Sequence, residues 1–402
     1  MNNPYRELLA TPGAKALVLA GLLARLALPM TGIAVITMLS QLRGSYALAG
    51  AVSAAVVLSY ALLSPQISRL VDRHGQRKVL PLASLLSAIG MLCLLAASHW
   101  QAPDWALFPS AVLMGCMPSM SAVVRARWAA LYRGQPRLQT AYSLEAVLDE
   151  VSFIAGPPLS VGLTVTVLPQ AGLLCAALLL LLGMGALLAQ RDTEPPVAVW
   201  DAGAQRAGSV MRLAGVRLLA LLMLAMGVIV GTVDVGSVAF AAQQGQPAMA
   251  SLVLSAYALG SCAAGLLFGA LQLSTPLPRL LLWGGLATAL TTLPLLLVNH
   301  IAALAAAVLV AGLFFAPTLI VAMSLVERLV PAQRLTEGMT WLLAGLNAGV
   351  ALGAALSGQV VDGAGTRAGF GIALCAGLVV LAVAFCGHKR LPVQGSTTTA
   401  VA

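Results

Sequence analysis

The run LLCAALLLLLGMGALLA, Leu173 to Ala189, contains no charged residue. With its flanks, from 170 to 190, it makes a helix of about 30 Å, the thickness of a bilayer core. It shows no period-two alternation, so it reads as a helix and not as a strand of a membrane barrel. Eleven further apolar runs of the same kind lie near 16–39, 47–68, 79–98, 104–129, 140–167, 217–241, 247–271, 280–298, 301–325, 337–361 and 368–387. The chain therefore reads as an all-α membrane protein with twelve spans.

Composition agrees. Of the 402 residues 60% are apolar and 9% charged, against roughly 45–50% and 25% in a soluble domain. That excludes a water-soluble globule, a disordered chain and a disulfide scaffold. The 39 glycines suit close helix packing in lipid. The six cysteines all sit inside apolar runs with no C-x-x-C pair, and read as small apolar residues. The first run is too long for a signal-peptide core and reads as an uncleaved span.

The net charge of +9 is a topology signal, not a nucleic-acid one. Of 22 Lys and Arg, 19 fall on one side of the twelve spans. They include Arg69, Arg73, Arg77, Lys78, Arg125, Arg127, Arg206, Arg334 and Lys389. Only Arg43 and Arg367 fall on the other side, and Arg25 lies within a span. Both termini are then expected in the cytoplasm, with the chain in the cytoplasmic (inner) membrane. The long polar connector at 191–216 divides a six-helix half, 1–190, from another at 217–390. Residues 391–402 read as a flexible tail.

The halves align at an offset of 197. Tyr60-Ala61-Leu62 meets Tyr257-Ala258-Leu259, and Gly115 meets Gly312. Gly156 meets Gly353, and Ala171-Gly172 meets Ala368-Gly369. A constant offset over several spans marks a parallel internal repeat, one of the known transporter architectures.

The loop after the second span reads SRLVDRHGQRK, Ser68 to Lys78. It resembles the signature G-x-x-x-D-R-x-G-R-[RK] of the major facilitator superfamily. Asp72, Arg73, Gly75, Arg77 and Lys78 fit; Ser68 replaces the first Gly, and Gln76 shifts the basic pair by one. Gly156-Pro157-Pro158-Leu159 resembles the core of the motif G-x-x-x-G-P-x-x-G-G of twelve-span drug:proton antiporters in that superfamily, with Ser152, Ser160 and Val161 replacing other glycines. The resemblance implies two pseudo-symmetric six-helix bundles around a cavity lined by spans one, four, seven and ten. It also implies a gate at the basic side, in which Asp72 accepts hydrogen bonds from the start of span eleven, near Gly338, and from Arg125 or Arg127. Gly75 would permit a tight turn. For Arg77 and Lys78 the alternative is that they only hold the loop in the cytoplasm.

Ionisable residues inside spans are costly and need a reason. Arg25 lies about 15 Å into span one, and Asp149 and Glu150 lie about as deep in span five. One Arg facing two acids points to an ion pair with a carboxylate to spare. Asp149 or Glu150 is the candidate proton carrier and Arg25 its partner; the alternative is a permanent bridge that fixes spans one and five. Glu145 reads as a solvated residue near the boundary. Asp234, deep in span seven between Thr232 and Ser237, reads either as a cavity group that attracts a cation or as an acid satisfied by nearby donors. Pro29, Pro118 and Pro317 should bend their spans. Tyr60 and Tyr257 read as packing residues.

These features point to a proton-coupled secondary transporter that exports a small amphiphilic compound, with protons and the bilayer as its other partners. A monomer is expected, and no cofactor or metal. An uptake permease or a non-transporting sensor of the same fold are the alternatives. An enzyme is disfavoured. All four histidines lie in loops or at span ends, and no H-E-x-x-H, G-x-S-x-G or P-loop occurs.

Overall fold

The computed structural model describes residues 4–196, 209–246, 249–271 and 275–390. Asp201, Arg206 and the expected tail at 391–402 lie outside the described residues. All regular structure among the described residues is helical. A short helix, α1 (Pro4–Ala10), precedes α2 (Ala14–Arg43), α3 (Tyr46–His74) and α4 (Gln76–His99). Then come α5 (Leu107–Met114), α6 (Met120–Tyr132), α7 (Arg137–Thr166) and α8 (Ala171–Ala189). After the connector follow α9 (Ala214–Gln243), α10 (Met249–Ala270), α11 (Leu277–Leu290), α12 (Ile301–Leu329), α13 (Leu335–Ala364) and α14 (Thr366–Arg390).

The protein is an all-α, multi-pass membrane protein. Eleven of its crossings are long apolar helices. The expected fourth span is the exception, because it is broken into α5 and α6 by residues 115–119. Pro118 has no N–H to offer a helix there. Gly115 lies against the backbone of Ser59 and Tyr60, where a Cβ would come within 2.8 Å of the Tyr60 nitrogen. Pro29 and Pro317 sit inside continuous helices. Helix ends reach past the apolar runs into the charged loops, since backbone hydrogen bonding does not stop at the last apolar side chain.

The chain divides into two compact units, Met1–Val210 with Pro331–Ala344, and Met211–Val330 with Gly345–Ala402. The 197-residue repeat is visible inside them as repeated contacts. Gly115 meets Ser59 and Tyr60; its counterpart Gly312 meets Tyr257 and Ser261. Gly156 of α7 meets Pro29 and Met30 of α2, and Gly353 of α13 meets Val228 of α9. Gly172 sits on Ser160 and Thr164, while Gly369 sits on Ser357 and Val361. Each of these glycines sits at a close helix approach that a larger side chain would block.

Candidate functional site

Four charged side chains meet inside the first unit, on α2, α6 and α7. The Arg25 guanidinium donates through one nitrogen to Glu145 and through the other to Asp149 Oδ1 at 2.9 Å. It also donates to the carbonyls of Gly21 and Glu145. Arg125 Nη2 donates to Asp149 Oδ2 at 2.7 Å, and Ser121 Oγ donates to Asp149 Oδ1. Trp128 Nε1 donates to Glu145 Oε1 at 2.9 Å. Two guanidiniums thus balance two carboxylates, and the group is neutral as a whole.

The helices dictate this geometry. Glu145 and Asp149 are i, i+4 on α7 and present both acids on one face. Ser121, Arg125 and Trp128 recur at helical spacing along the facing side of α6. Arg25, Arg125 and Glu145 are buried, with Glu145 and Arg125 at 0% exposure, whereas the Asp149 side chain keeps 19%. Asp149 is therefore the acid that opens on a small cavity of about 20 Å³. Tyr60, Met117, Ser121, Ser152 and Phe153 also line that cavity, which holds a water but not an organic substrate in this conformation.

Two expectations from the sequence are corrected here. Glu145 is a buried member of the cluster, not a solvated boundary residue, because Arg25 and Trp128 close over it. Arg25 pairs with Glu145 and Asp149 rather than with Asp149 and Glu150, since Glu150 is turned about 100° from Asp149 on α7. Trp128 was not singled out from the sequence. It stacks on Tyr132 at 6.0 Å, and the Tyr132 hydroxyl is 2.6 Å from Thr11 Oγ1, so a contact chain runs from the end of α6 to the buried acids.

At the basic end, α3 ends at His74 and α4 begins at Gln76. Gly75, at φ 88°, is the single residue between them, and its backbone suits Gly. Asp72 accepts from the backbone N–H of Thr336 at 3.2 Å and of Glu337 at 2.8 Å, at the start of α13. Ser68 Oγ is 2.7 Å from Thr340 Oγ1. The arginine expected beside Asp72 is a further correction: Arg125 serves Asp149, and Arg127 turns to other partners. Arg127 donates to Gln76 Oε1 at 2.7 Å, to Thr193 Oγ1 at 2.8 Å and to the Gln190 carbonyl at 3.0 Å. Arg77 lies 3.5 Å from Glu194. Arg73 and Lys78 are exposed. Glu337 in turn accepts from Ser209 Oγ at 2.6 Å and from the N–H of Val210 at 3.1 Å, which fixes the returning end of the connector.

Gly156 faces Pro29, and Ser160 Oγ donates to the Met30 carbonyl at 3.1 Å. Pro157 and Pro158 are carried within continuous α7. This stretch thus packs α7 on α2, the helix that carries Arg25. Asp234 lies in the second unit, half-buried on α9, nine residues before the helix ends at Gln243.

The charges are where the two repeats differ. At the 197-residue offset, Arg25, Arg125, Trp128 and Glu145 correspond to Leu222, Ala322, Leu325 and Leu342, all buried and apolar. Asp234 corresponds to Thr37.

The family model for the Major Facilitator Superfamily matches residues 17–246 and 218–400. Solved structures with the same fold include a bacterial homologue of the iron transporter ferroportin in an outward-facing state. It is 16% identical, covers 94% of this chain and 99% of that one, and superposes with a TM-score of 0.77. The human organic anion transporter MFSD10 is 17% identical over 96% and 100%, with a TM-score of 0.68. The E. coli fucose:proton symporter FucP is 14% identical over 93% and 98%, with a TM-score of 0.70. At these identities the likeness is one of fold. No curated protein matched the sequence.

Proposed function

The chain belongs to the Major Facilitator Superfamily, and we propose that it is a proton-coupled secondary transporter that exports a small amphiphilic compound across the cytoplasmic membrane. Both termini and the basic loops would face the cytoplasm, in keeping with the distribution of Lys and Arg. The observation that carries the reading is the Arg25–Glu145–Asp149–Arg125 group, set within the apolar helices and opening on a cavity that Arg25 and Asp149 line. Intramembrane charge of this kind is expensive to keep, and marks ion and substrate pathways.

Asp149 is the proton carrier in this reading. With two guanidiniums on it, the carboxylate is fully compensated in charge. A shift of α2 or α6 that withdraws one guanidinium leaves it under-compensated, and a proton from the cavity water then replaces the lost charge. Proton occupancy is thereby tied to the mutual position of three helices. Glu145, sealed between Arg25 and Trp128, is the partner of Arg25 on the side away from the cavity. At the basic end Asp72 holds the start of α13 by two backbone N–H groups, a contact that suits a gate residue. The direction of transport rests on the resemblance of Gly156-Pro157-Pro158 to the antiporter motif.

Inverted membrane vesicles with an imposed pH gradient provide the test. Addition of a transported compound should discharge the gradient, and D149N should abolish that discharge while compound binding persists. Accumulation of the compound into intact cells would instead favour the uptake permease. A protein that keeps its cellular effect with Asp149 neutralised would favour the sensor.

A further inference from the structure

At the basic end of the first unit, carboxylates hold the starts of other segments. Asp72 of α3 takes the backbone N–H groups of Thr336 and Glu337, which the start of α13 leaves without partners in its own helix. Glu337 in its turn takes the Ser209 hydroxyl at 2.6 Å and the Val210 N–H at 3.1 Å. Val210 opens the short helical turn Val210–Arg212 that leads into α9. Glu337 is thus held to α3 by its backbone and holds the end of the connector by its side chain. At the repeat offset Glu337 corresponds to Thr140 and Asp72 to Gly269, so the second copy of this arrangement has neither acid and the fold does not require them.

The two contacts do not share atoms. Asp72 bonds to backbone nitrogens. Both connector bonds fall on Glu337 Oε1, and the buried Oε2 has no hydrogen-bond partner. Glu337 is 1% exposed and Val210 2%, so water does not compete for the bond between them. Loss of the Asp72 bonds therefore leaves the Glu337 carboxylate with its own partners. Chain continuity says which contact parts. Ser68 and Asp72 lie on α3, wholly within the first unit. The connector passes into the second unit at Met211, and α13 does so at Gly345, in mid-helix. A motion of the second unit reaches both passages through the covalent chain within a few residues, and has no such link to α3.

From this we infer that Glu337 is a positioning residue for transport: it yokes the connector end to the start of α13, so that the two leave Ser68 and Asp72 as one piece and return as one piece. The inference rests on the gate role given to Asp72 above, and names the residue that passes the gate's movement on. Because α9 begins at Ala214, just beyond the yoked Val210, the entry of α9 follows the start of α13. Without the carboxylate the two passages move separately, and the closed arrangement must be rebuilt from two loose ends instead of one.

The test uses the full chain in detergent, with its six cysteines replaced by alanine and pairs of nitroxide labels read by pulsed electron spin resonance. Labels at Arg73 and Gln333 report the gate, and labels at Arg212 and Gln333 report the yoke; all three positions are exposed. D72N should add longer distances to the 73–333 pair and leave the 212–333 pair with its single peak. E337A should cost the 212–333 pair that single peak, and E337Q, which keeps an acceptor oxygen, should retain it. S209A removes one of the two donors and should broaden the peak less than E337A; it decides the matter alone where E337A does not fold. The inference is overturned if 212–333 spreads in D72N as it does in E337A, because the connector end is then held through Asp72. It is overturned equally if the single peak survives both E337A and S209A. A 73–333 pair that ignores D72N, with 212–333 dispersed by E337A, removes the gate role of Asp72 and leaves the Glu337 yoke standing. A 73–333 pair that opens in D72N, with 212–333 indifferent to E337A, keeps the gate and removes the yoke.

Discussion

Glu145 and Asp149, one helical turn apart on α7, take the two ends of one guanidinium, that of Arg25. Asp149 reaches past it to a second, Arg125. The group is stable because it is balanced, and removing one member leaves a buried charge unpaired. E145Q should therefore destabilise the protein by about 3–5 kcal/mol in an unfolding titration in detergent. The double change R25M/E145M removes one charge of each sign and should cost less than the sum of its singles. Additive costs would show that the two residues do not act as a pair.

Trp128 closes the buried end of the group through a single N–H. W128F keeps the ring on Tyr132 and removes only the donor, which should cost about 1–3 kcal/mol because Glu145 has no water to turn to. Y132F removes the contact with Thr11 in a partly buried site and should cost about 1 kcal/mol. Thermal unfolding of the two variants orders them, and a larger effect from Y132F would contradict the sealing role given to Trp128.

Much of this architecture was legible in the residues. Uninterrupted apolar runs leave the backbone no way to satisfy itself in lipid except as helix, so eleven crossings follow from composition alone. Glycine matches at one offset became matched contacts, because a close helix approach needs a small residue wherever the repeat places it. The pairing inside the site was less accessible. Arg25 and Glu145 are 120 residues apart in the chain, and depth counted along a run does not say which face of a helix turns inward. Counting placed Glu145 in the boundary water and Arg125 at the basic end of span four as a partner for Asp72; the crossing of α2, α6 and α7 puts both at 0% exposure. Nor does periodicity reveal a break such as the one at Pro118, which depends on what Gly115 packs against.

Asp72 satisfies two backbone N–H groups that a helix start leaves without partners. D72N keeps one acceptor oxygen but presents an amide donor to the other N–H and gives up the charge. The expected cost is about 1 kcal/mol, with the first turn of α13 loosened. Hydrogen exchange over residues 335–340 reads this directly. Faster exchange there, with the rest of α13 unchanged, is the expected pattern. Unchanged protection would mean that Ser68 and Thr340 alone hold the segment.

Gly156 and Gly353 occupy equivalent places in the two repeats but meet different surfaces. A Cβ on Gly156 would come within 2.9 Å of Pro29 Cγ, a ring atom, while one on Gly353 would come within 2.8 Å of the Val228 Cα and closer still to its carbonyl oxygen. A pyrrolidine ring can pucker away by a few tenths of an ångström; a helix backbone yields only by shifting the whole of α9. G156A should accordingly cost about 1–3 kcal/mol, and P29A, which removes the opposing ring atom, should recover part of that in the double variant. G353A should cost more, and no single side-chain deletion on α9 should repair it. Unfolding midpoints of the three variants decide the matter. If G353A proves the milder change, the two interfaces do not differ in the way their opposing atoms imply.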